Sequence, residues 1–104
     1  MIVEQRTYTL KAGAVNTYLE LYEREIIQIQ TRHLPRMVGY FSTEIGPLNQ
    51  IVHMWAYTDL EERTRCRAAL GQDPEWQAGA RKLYELIATM ENKILVPTPF
   101  SPIR

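Results

Sequence analysis

The sequence predicts an α+β fold, in which helical segments pack on a four-stranded antiparallel sheet in the ferredoxin-like order βαββαβ. Three observations carry this prediction. The segment Met37–Arg67 is typical of a β-hairpin that runs directly into a helix. Strand-like segments lie near both ends of the chain, at Ile2–Leu10 and Glu91–Val96. Helical periodicity fills the intervals between them. Right-handed crossovers, together with hairpin strands that lie side by side, then favour this order.

The first strand and the first helix follow from local patterns. Ile2–Leu10 alternates in polarity and is rich in β-forming residues, and Lys11–Gly13 breaks the strand. Apolar side chains then recur at helical spacing from Val15 to Ile29. The helix should end near His33, because a proline follows two positions later and the residue before a proline avoids the α region.

The hairpin turns at Gly46–Asn49, where glycine and asparagine tolerate positive φ. We expect a register in which Ile45 faces Gln50 and Tyr40 faces Trp55. Because side chains alternate along a strand, this register separates an apolar face from an aromatic and polar face. The aromatic and polar face carries Tyr40, Ile51, His53, Trp55 and Tyr57.

Two further helices are predicted after the hairpin. Thr58–Glu61 has the pattern of a capping box, and Gly71–Gln72 closes the helix that the box begins. Asp73 then acts as the N-cap of a second helix, with proline at its first position. The apolar stripe of this helix runs from Trp76 to Met90.

The composition limits the classes of function. The 104 residues form one expected domain, 1–104, with an extended proline-rich tail at 97–104. Twelve basic and twelve acidic side chains cancel, which argues against nucleic-acid and membrane partners. The single cysteine, Cys66, excludes an internal disulfide and fits a reducing compartment. With neither a secretory pattern nor an apolar span, we expect a cytoplasmic protein.

An uncovered sheet face predicts a homodimer. With the helices on the apolar face, nothing covers the face that bears Tyr40, Trp55 and Tyr57. An exposed aromatic patch of that size usually marks an interface. A second copy covers it most simply, so that two sheets pack face to face in a dimeric α+β barrel.

Several segments of the chain resemble the NIPSNAP family. The most specific are Val38–Phe41, Gly46–Asn49 and His53–Tyr57 in the hairpin, supported by Asp73–Trp76 and Ile94–Pro102. The resemblance implies a dimeric α+β barrel, a superfamily fold that also hosts small cofactor-free monooxygenases, isomerases, cyclases and haem-degrading enzymes. It implies no particular activity, because the family has no settled catalytic motif.

Two residues are candidates for catalysis. His53 could relay a proton at neutral pH, and the phenol of Tyr40 could hold an oxyanion. The alternative is a histidine that is satisfied by hydrogen bonds inside the dimer interface.

Four residues are candidates for ligand binding: Arg6, Tyr8, Trp55 and Tyr57. An arginine at the centre of the sheet could bind a carboxylate or an enolate. It could equally form a structural ion pair with Glu4 or Glu91. The aromatic residues suit a small, flat, apolar ligand.

The remaining charged residues favour structural interpretations. Arg63 and Arg67 share a helical stripe, so they either rim a cleft or lay their stems on apolar surface. His33, at the predicted end of a helix, is interpreted as structural. We expect neither a metal site nor a cofactor, because the ligand spacings and glycine-rich loops that would hold one do not occur. Two hypotheses follow: a small-molecule enzyme or binding protein, and a non-catalytic homodimeric protein-interaction module.

Overall fold

A computed structural model describes residues 1–104 and contains one antiparallel sheet with the strand order β2-β3-β1-β4. The strands are β1 (Ile2–Leu10), β2 (Met37–Ser42), β3 (Gln50–Tyr57) and β4 (Ile87–Leu95). Every neighbouring pair is antiparallel. The predicted ferredoxin-like order, with the first strand beside the third, is confirmed.

Three helices pack on one face of the sheet. Helix α1 comprises Val15–Leu21, a π-helical turn at Tyr22–Ile26, and Ile27–His33. Helix α2 is Leu60–Gln72 and helix α3 is Pro74–Tyr84. None of these helices combines the length and the apolar character needed to cross a bilayer.

Side-chain caps begin the second and third helices. Asp59 accepts a hydrogen bond from the Glu62 amide at 2.8 Å, while Glu62 accepts one from the Thr58 amide at 2.7 Å. The capping box is therefore Asp59–Glu62, one residue later than predicted. Asp73 accepts from the Glu75 amide at 2.9 Å, which confirms the predicted start of α3.

The π-helical turn of α1 packs closely on α3. Ile26, the last residue of the turn, is completely buried. A Cβ atom on Gly79 of α3 would overlap Ile26 Cδ1. Glycine at this position therefore allows the two helices to approach each other above the sheet.

The hairpin register differs from the prediction by two residues. Tyr40 lies opposite His53, and Ser42 lies opposite Ile51. The connecting loop is longer than a tight turn, although it has the expected positive φ at Gly46 (133°) and Asn49 (64°). From Gly39 onward, a shift of two residues keeps each side chain on its predicted face, because the strand repeat is two. An irregularity in the pairing between Met37 and Gly39 instead moves Val38 from the predicted aromatic face to the opposite face.

The last strand begins earlier than predicted. Ile87 and Met90 lie in β4, so the prediction that they belong to the stripe of the preceding helix was wrong. Strand β1 offers partners along its whole length, and its last residue, Leu10, pairs with Ile87. Backbone pairing with β1 therefore outweighs the helical spacing of these two apolar residues.

The helices cover the aromatic face of the sheet, contrary to the prediction. Trp55 (0% exposed) and Tyr57 (1% exposed) lie in a core with Leu34 and Leu70. A second core joins the sheet to α1 and α3; its members include Tyr8, Tyr18, Tyr22, Ile26, Ile51 and Leu83. Burying the larger aromatic side chains removes more apolar area from water. The prediction that these aromatic residues are exposed was wrong.

The opposite face of the sheet has no helix on it. Phe41, 54% exposed, lies there with its ring against Gly39, where a Cβ atom would collide with the ring. Gly39 faces Met54, whereas the expected register of Tyr40 opposite Trp55 would place Ala56 there. The tail folds over one end of this face and forms an apolar groove of about 210 Å³. Its lining includes Val3, Val38, Met54, Leu95, Pro97 and Ile103.

Candidate functional site

A buried carboxylate, that of Glu4, is the centre of a charged cluster beneath α2. Its side chain is fully buried. Arg63 donates to Oε2 from Nε at 2.9 Å and from Nη2 at 2.6 Å, and Arg67 donates to Oε1 from Nε at 3.2 Å. Arg6 Nη1 and Asn92 Nδ2 donate to Oε2 at 3.2 Å and 2.7 Å. Strands β1 and β4 and helix α2 therefore meet at one carboxylate.

The backbone geometry accounts for this convergence. Glu4 and Arg6 are two positions apart on β1, so both point towards the helices. Arg63 and Arg67 are four positions apart on α2, so both lie on the helix face towards the sheet.

The cluster keeps Glu4 ionised. Burial alone would raise the pKa of the Glu4 carboxyl. The hydrogen bond from Arg63, the charge of Arg67 and the hydrogen bond from Asn92 outweigh burial and lower this pKa from 4.5 to about 2. One negative charge is thus surrounded by the three guanidinium groups of Arg6, Arg63 and Arg67. The cluster carries a surplus of positive charge.

His53 lies beside this cluster as a neutral hydrogen-bond donor. Trp55 Nε1 donates to His53 Nδ1 at 2.7 Å, so the neutral ring carries its proton on Nε2. Nε2 is buried and has no hydrogen-bond partner. Burial, followed by the positive charges of Arg6 and Arg67, lowers the pKa of His53 from 6.5 to about 3. The imidazole is therefore uncharged at neutral pH.

Tyrosine rings fix the orientation of the imidazole. The Tyr40 ring stacks on His53 at a centroid distance of 4.5 Å, and the Tyr8 ring meets it edge-on at 4.8 Å. The hydroxyl groups of Tyr18 and Tyr40 share a hydrogen bond of 2.7 Å. Burial raises the pKa of both phenols, so both keep their protons at neutral pH.

A small cavity lies beside His53, between the sheet and the helices. Its volume is about 20 Å³, which is room for one water molecule. Tyr84 lines the cavity and is 51% exposed, so it marks the end nearest the solvent. The other lining residues are Arg6, Tyr8, Tyr18, Tyr22, Gln30, Tyr40, His53, Arg67, Trp76, Leu83 and Ile87.

The structure brings four of the six predicted site residues to this cavity: Arg6, Tyr8, Tyr40 and His53. Trp55 is not part of the lining but holds His53 through its indole N–H. Tyr57 donates to Glu4 Oε1 at 3.4 Å and so belongs to the charged cluster. Whether these residues bind a ligand or catalyse a reaction stays a prediction.

The predicted ion pair between Arg6 and Glu4 is present, with 3.2 Å between Arg6 Nη1 and Glu4 Oε2. Arg6 Nε also donates to the Tyr8 hydroxyl at 2.9 Å. Sequence reasoning missed Glu4 as the centre of the cluster. Two signals were available. Glu4, Arg6 and Tyr8 are spaced two positions apart and so share one face of β1, and Arg63 and Arg67 form an arginine pair on α2.

The second histidine has a separate role. His33 Nε2 lies 2.8 Å from Asp73 Oδ2, which links the end of α1 to the start of α3. No group of three or more histidine, cysteine, aspartate or glutamate side chains is arranged to hold a metal ion.

The chain is similar to known proteins in both sequence and structure. The zebrafish (Danio rerio) protein NipSnap homolog 1 is 33% identical over 103 residues, which cover 99% of this chain and 36% of that protein. A NIPSNAP family protein from Agrobacterium tumefaciens is 49% identical, with a TM-score of 0.98 over 100% of this chain and 94% of that one. The chain spans about a third of the length of the curated relatives that it matches.

A more distant structure shares the fold alone. It is described as a putative antibiotic biosynthesis monooxygenase from Nitrosomonas europaea, at 15% identity and a TM-score of 0.68 over 93% of this chain and 98% of that one. The NIPSNAP family model matches residues 3–102. The chain therefore belongs to the NIPSNAP family.

Proposed function

We propose that this chain binds a small, flat molecule, without a cofactor, in the cavity between the sheet and the helices. One observation carries the proposal: the cavity is lined by aromatic rings but contains the buried, unpartnered Nε2 of His53. Buried polar atoms are normally hydrogen-bonded in folded proteins, and an exception calls for an explanation. A ligand that supplies the missing partner is such an explanation.

The shape of the site supports binding of one end of a molecule. The cavity accepts a single small polar group beside His53. The rest of a flat ligand would lie towards Tyr84 and Trp76, whose rings line the same cavity. Because Tyr84 is half exposed, its side chain can move aside without disturbing the buried core.

The site supports a donor role for His53 rather than a proton relay. The lowered pKa of the imidazole makes it a weak base at neutral pH. Tyr40 is likewise held as a neutral phenol by burial, which raises its pKa. Any conversion of the ligand would therefore depend on stabilising an oxygen through hydrogen bonds.

The lone cysteine, Cys66, supports a reducing compartment such as the cytoplasm.

Native mass spectrometry tests the proposal. Gently purified protein should carry a retained small molecule that disappears after denaturation. Ile87→Phe, which adds volume to the cavity lining, should lose that molecule, whereas Ile94→Phe on an exposed part of the same strand should keep it. Absence of a retained molecule, together with no thermal stabilisation by small aromatic compounds, would favour the interaction module.

We also propose that the helix-free face of the sheet binds a second copy of the chain. The half-exposed ring of Phe41 and the 39% exposed side chain of Leu95 on this face support the proposal. The basis differs from the sequence prediction, since the aromatic residues invoked there are buried under helices.

Light scattering after gel filtration measures this association. The parent chain should have twice the 12.2 kDa mass of a monomer. Met54→Lys, at the centre of the helix-free face, should be monomeric because a buried lysine would lack a partner. Gln28→Lys, an exposed position on α1, should leave the dimer intact. A monomeric parent chain would end the proposal.

A further inference from the structure

We infer that the ligand presents an anionic oxygen, such as that of a carboxylate, to Nε2 of His53 and Nη2 of Arg67. The inference rests on the proposed function and specifies the class of molecule that the cavity takes. Both nitrogen atoms are buried and lack hydrogen-bond partners. Both side chains line the same cavity.

The two unpartnered atoms are hydrogen-bond donors. His53 Nε2 carries the ring proton because Nδ1 accepts from Trp55. Arg67 Nη2 lies 3.0 Å from Glu4 Oε1, but this contact lacks hydrogen-bond geometry. An arginine nitrogen never accepts a hydrogen bond, so neither of these two atoms can serve as an acceptor.

The carboxylate and amide oxygens near the cavity are already engaged. Both carboxylate oxygens of Glu4 accept hydrogen bonds from arginine side chains. Gln30 Oε1 accepts from the Tyr22 hydroxyl at 2.6 Å. The Tyr8 hydroxyl accepts from Arg6 Nε at 2.9 Å, which leaves its own proton free for a further acceptor. A group that pairs with His53 Nε2 and Arg67 Nη2 is therefore required to accept rather than to donate.

Charge distinguishes an anion from a neutral acceptor. Three guanidinium groups surround the single carboxylate of Glu4, and His53 adds no charge because its pKa is lowered. A buried surplus of positive charge is costly, and an anion that enters the cavity reduces it. A cation would increase the surplus.

Size and surroundings favour an organic carboxylate over an inorganic anion. A volume of about 20 Å³ admits one oxygen atom but not a whole phosphate or sulfate group. The aromatic side chains of Trp76 and Tyr84 extend the site away from His53. A planar acid can place one oxygen at the donors and its ring against these side chains.

Benzoate and benzamide provide a matched pair of probes, because they share shape and ring but only benzoate is anionic. Calorimetric titration at constant ionic strength and near neutral pH should show benzoate binding about tenfold more tightly than benzamide. Arg67→Gln should remove this preference. Arg65→Gln, an exposed position on the same helix with the same change in charge, should keep it.

A measurement on the unaltered chain covers the case in which Arg67→Gln fails to fold. Benzoate should move the proton resonance of His53 Nε2–H downfield, as expected for a new hydrogen bond to an anion, and benzamide should move it less. Equal affinities for the two compounds would overturn this inference and leave the proposed function standing. Binding of neither compound would overturn both.

Discussion

The buried, neutral His53 should make the chain less stable as the pH falls from 7 to 5. In the folded chain the pKa of His53 is about 3, whereas its ordinary value is 6.5. Below pH 6.5 the unfolded chain therefore binds a proton that the folded chain excludes. A pKa that folding lowers contributes stability above the ordinary value, and this contribution is lost as the pH falls towards the folded value.

The size of the effect follows from the two pKa values. Each pH unit between 6.5 and about 3 costs about 1.4 kcal/mol of unfolding free energy at this one site. Between pH 7 and pH 5 the loss should be about 2 kcal/mol. Glu4 contributes little in this window, because its pKa changes from 4.5 to about 2 on folding.

Urea unfolding followed by circular dichroism measures the loss directly. His53→Asn removes the titrating group but can keep an acceptor for the Trp55 indole. Between pH 7 and pH 5, the unfolding free energy of this variant should therefore fall by about 2 kcal/mol less than that of the parent chain. Trp55→Phe keeps the buried histidine and should retain the pH dependence at a lower overall stability. A parent chain whose stability is constant or rises between pH 7 and 5 would refute the reasoning. Equal slopes in the parent chain and His53→Asn would refute it as well.

Three further predictions concern packing and charge, each measured as an unfolding free energy. Glu4→Gln should cost about 3–5 kcal/mol, because it leaves buried guanidinium groups around an uncharged side chain; a loss below about 1 kcal/mol would contradict this. Gly79→Ala should cost about 1–3 kcal/mol through overlap with Ile26 Cδ1, and adding Ile26→Val should recover part of that loss. Asp59→Ala should cost about 1 kcal/mol by removing the cap of α2, whereas Asp59→Ser should cost less.

Local signals in the sequence were enough for the order of the elements. Three features depend only on the chemistry of neighbouring residues. They are the break at Lys11–Gly13, the helix start at Asp73-Pro74, and the positive φ at Gly46 and Asn49. From Gly39 onward, the alternation of the hairpin residues also predicted correctly which side chains share a face, whereas an irregularity before Gly39 places Val38 on the face opposite to the predicted one. The pattern could not distinguish registers that differ by two residues, because both have the same alternation.

The orientation of the sheet relative to the helices could not be read from that pattern. Both faces of the hairpin carry apolar side chains, so alternation does not show which face the helices cover. Ile87 and Met90 fit the spacing of a helix, and only pairing with β1 places them in a strand. The charged cluster depends on Arg63 contacting Glu4 across 59 positions of sequence, a contact that neither residue signals alone.

Strand β4 gives the sheet an uneven resistance to local opening. All of its residues except Ile87 are exposed, so its attachment depends largely on backbone hydrogen bonds to β1 and on the side chain of Asn92. Amide protons in such a strand exchange with solvent sooner than those of β3, whose aromatic side chains are buried. When β4 separates, Glu4 loses the amide of Asn92 and one side of its enclosure. The isolation of this carboxylate from water is therefore limited by the least stable strand that surrounds it.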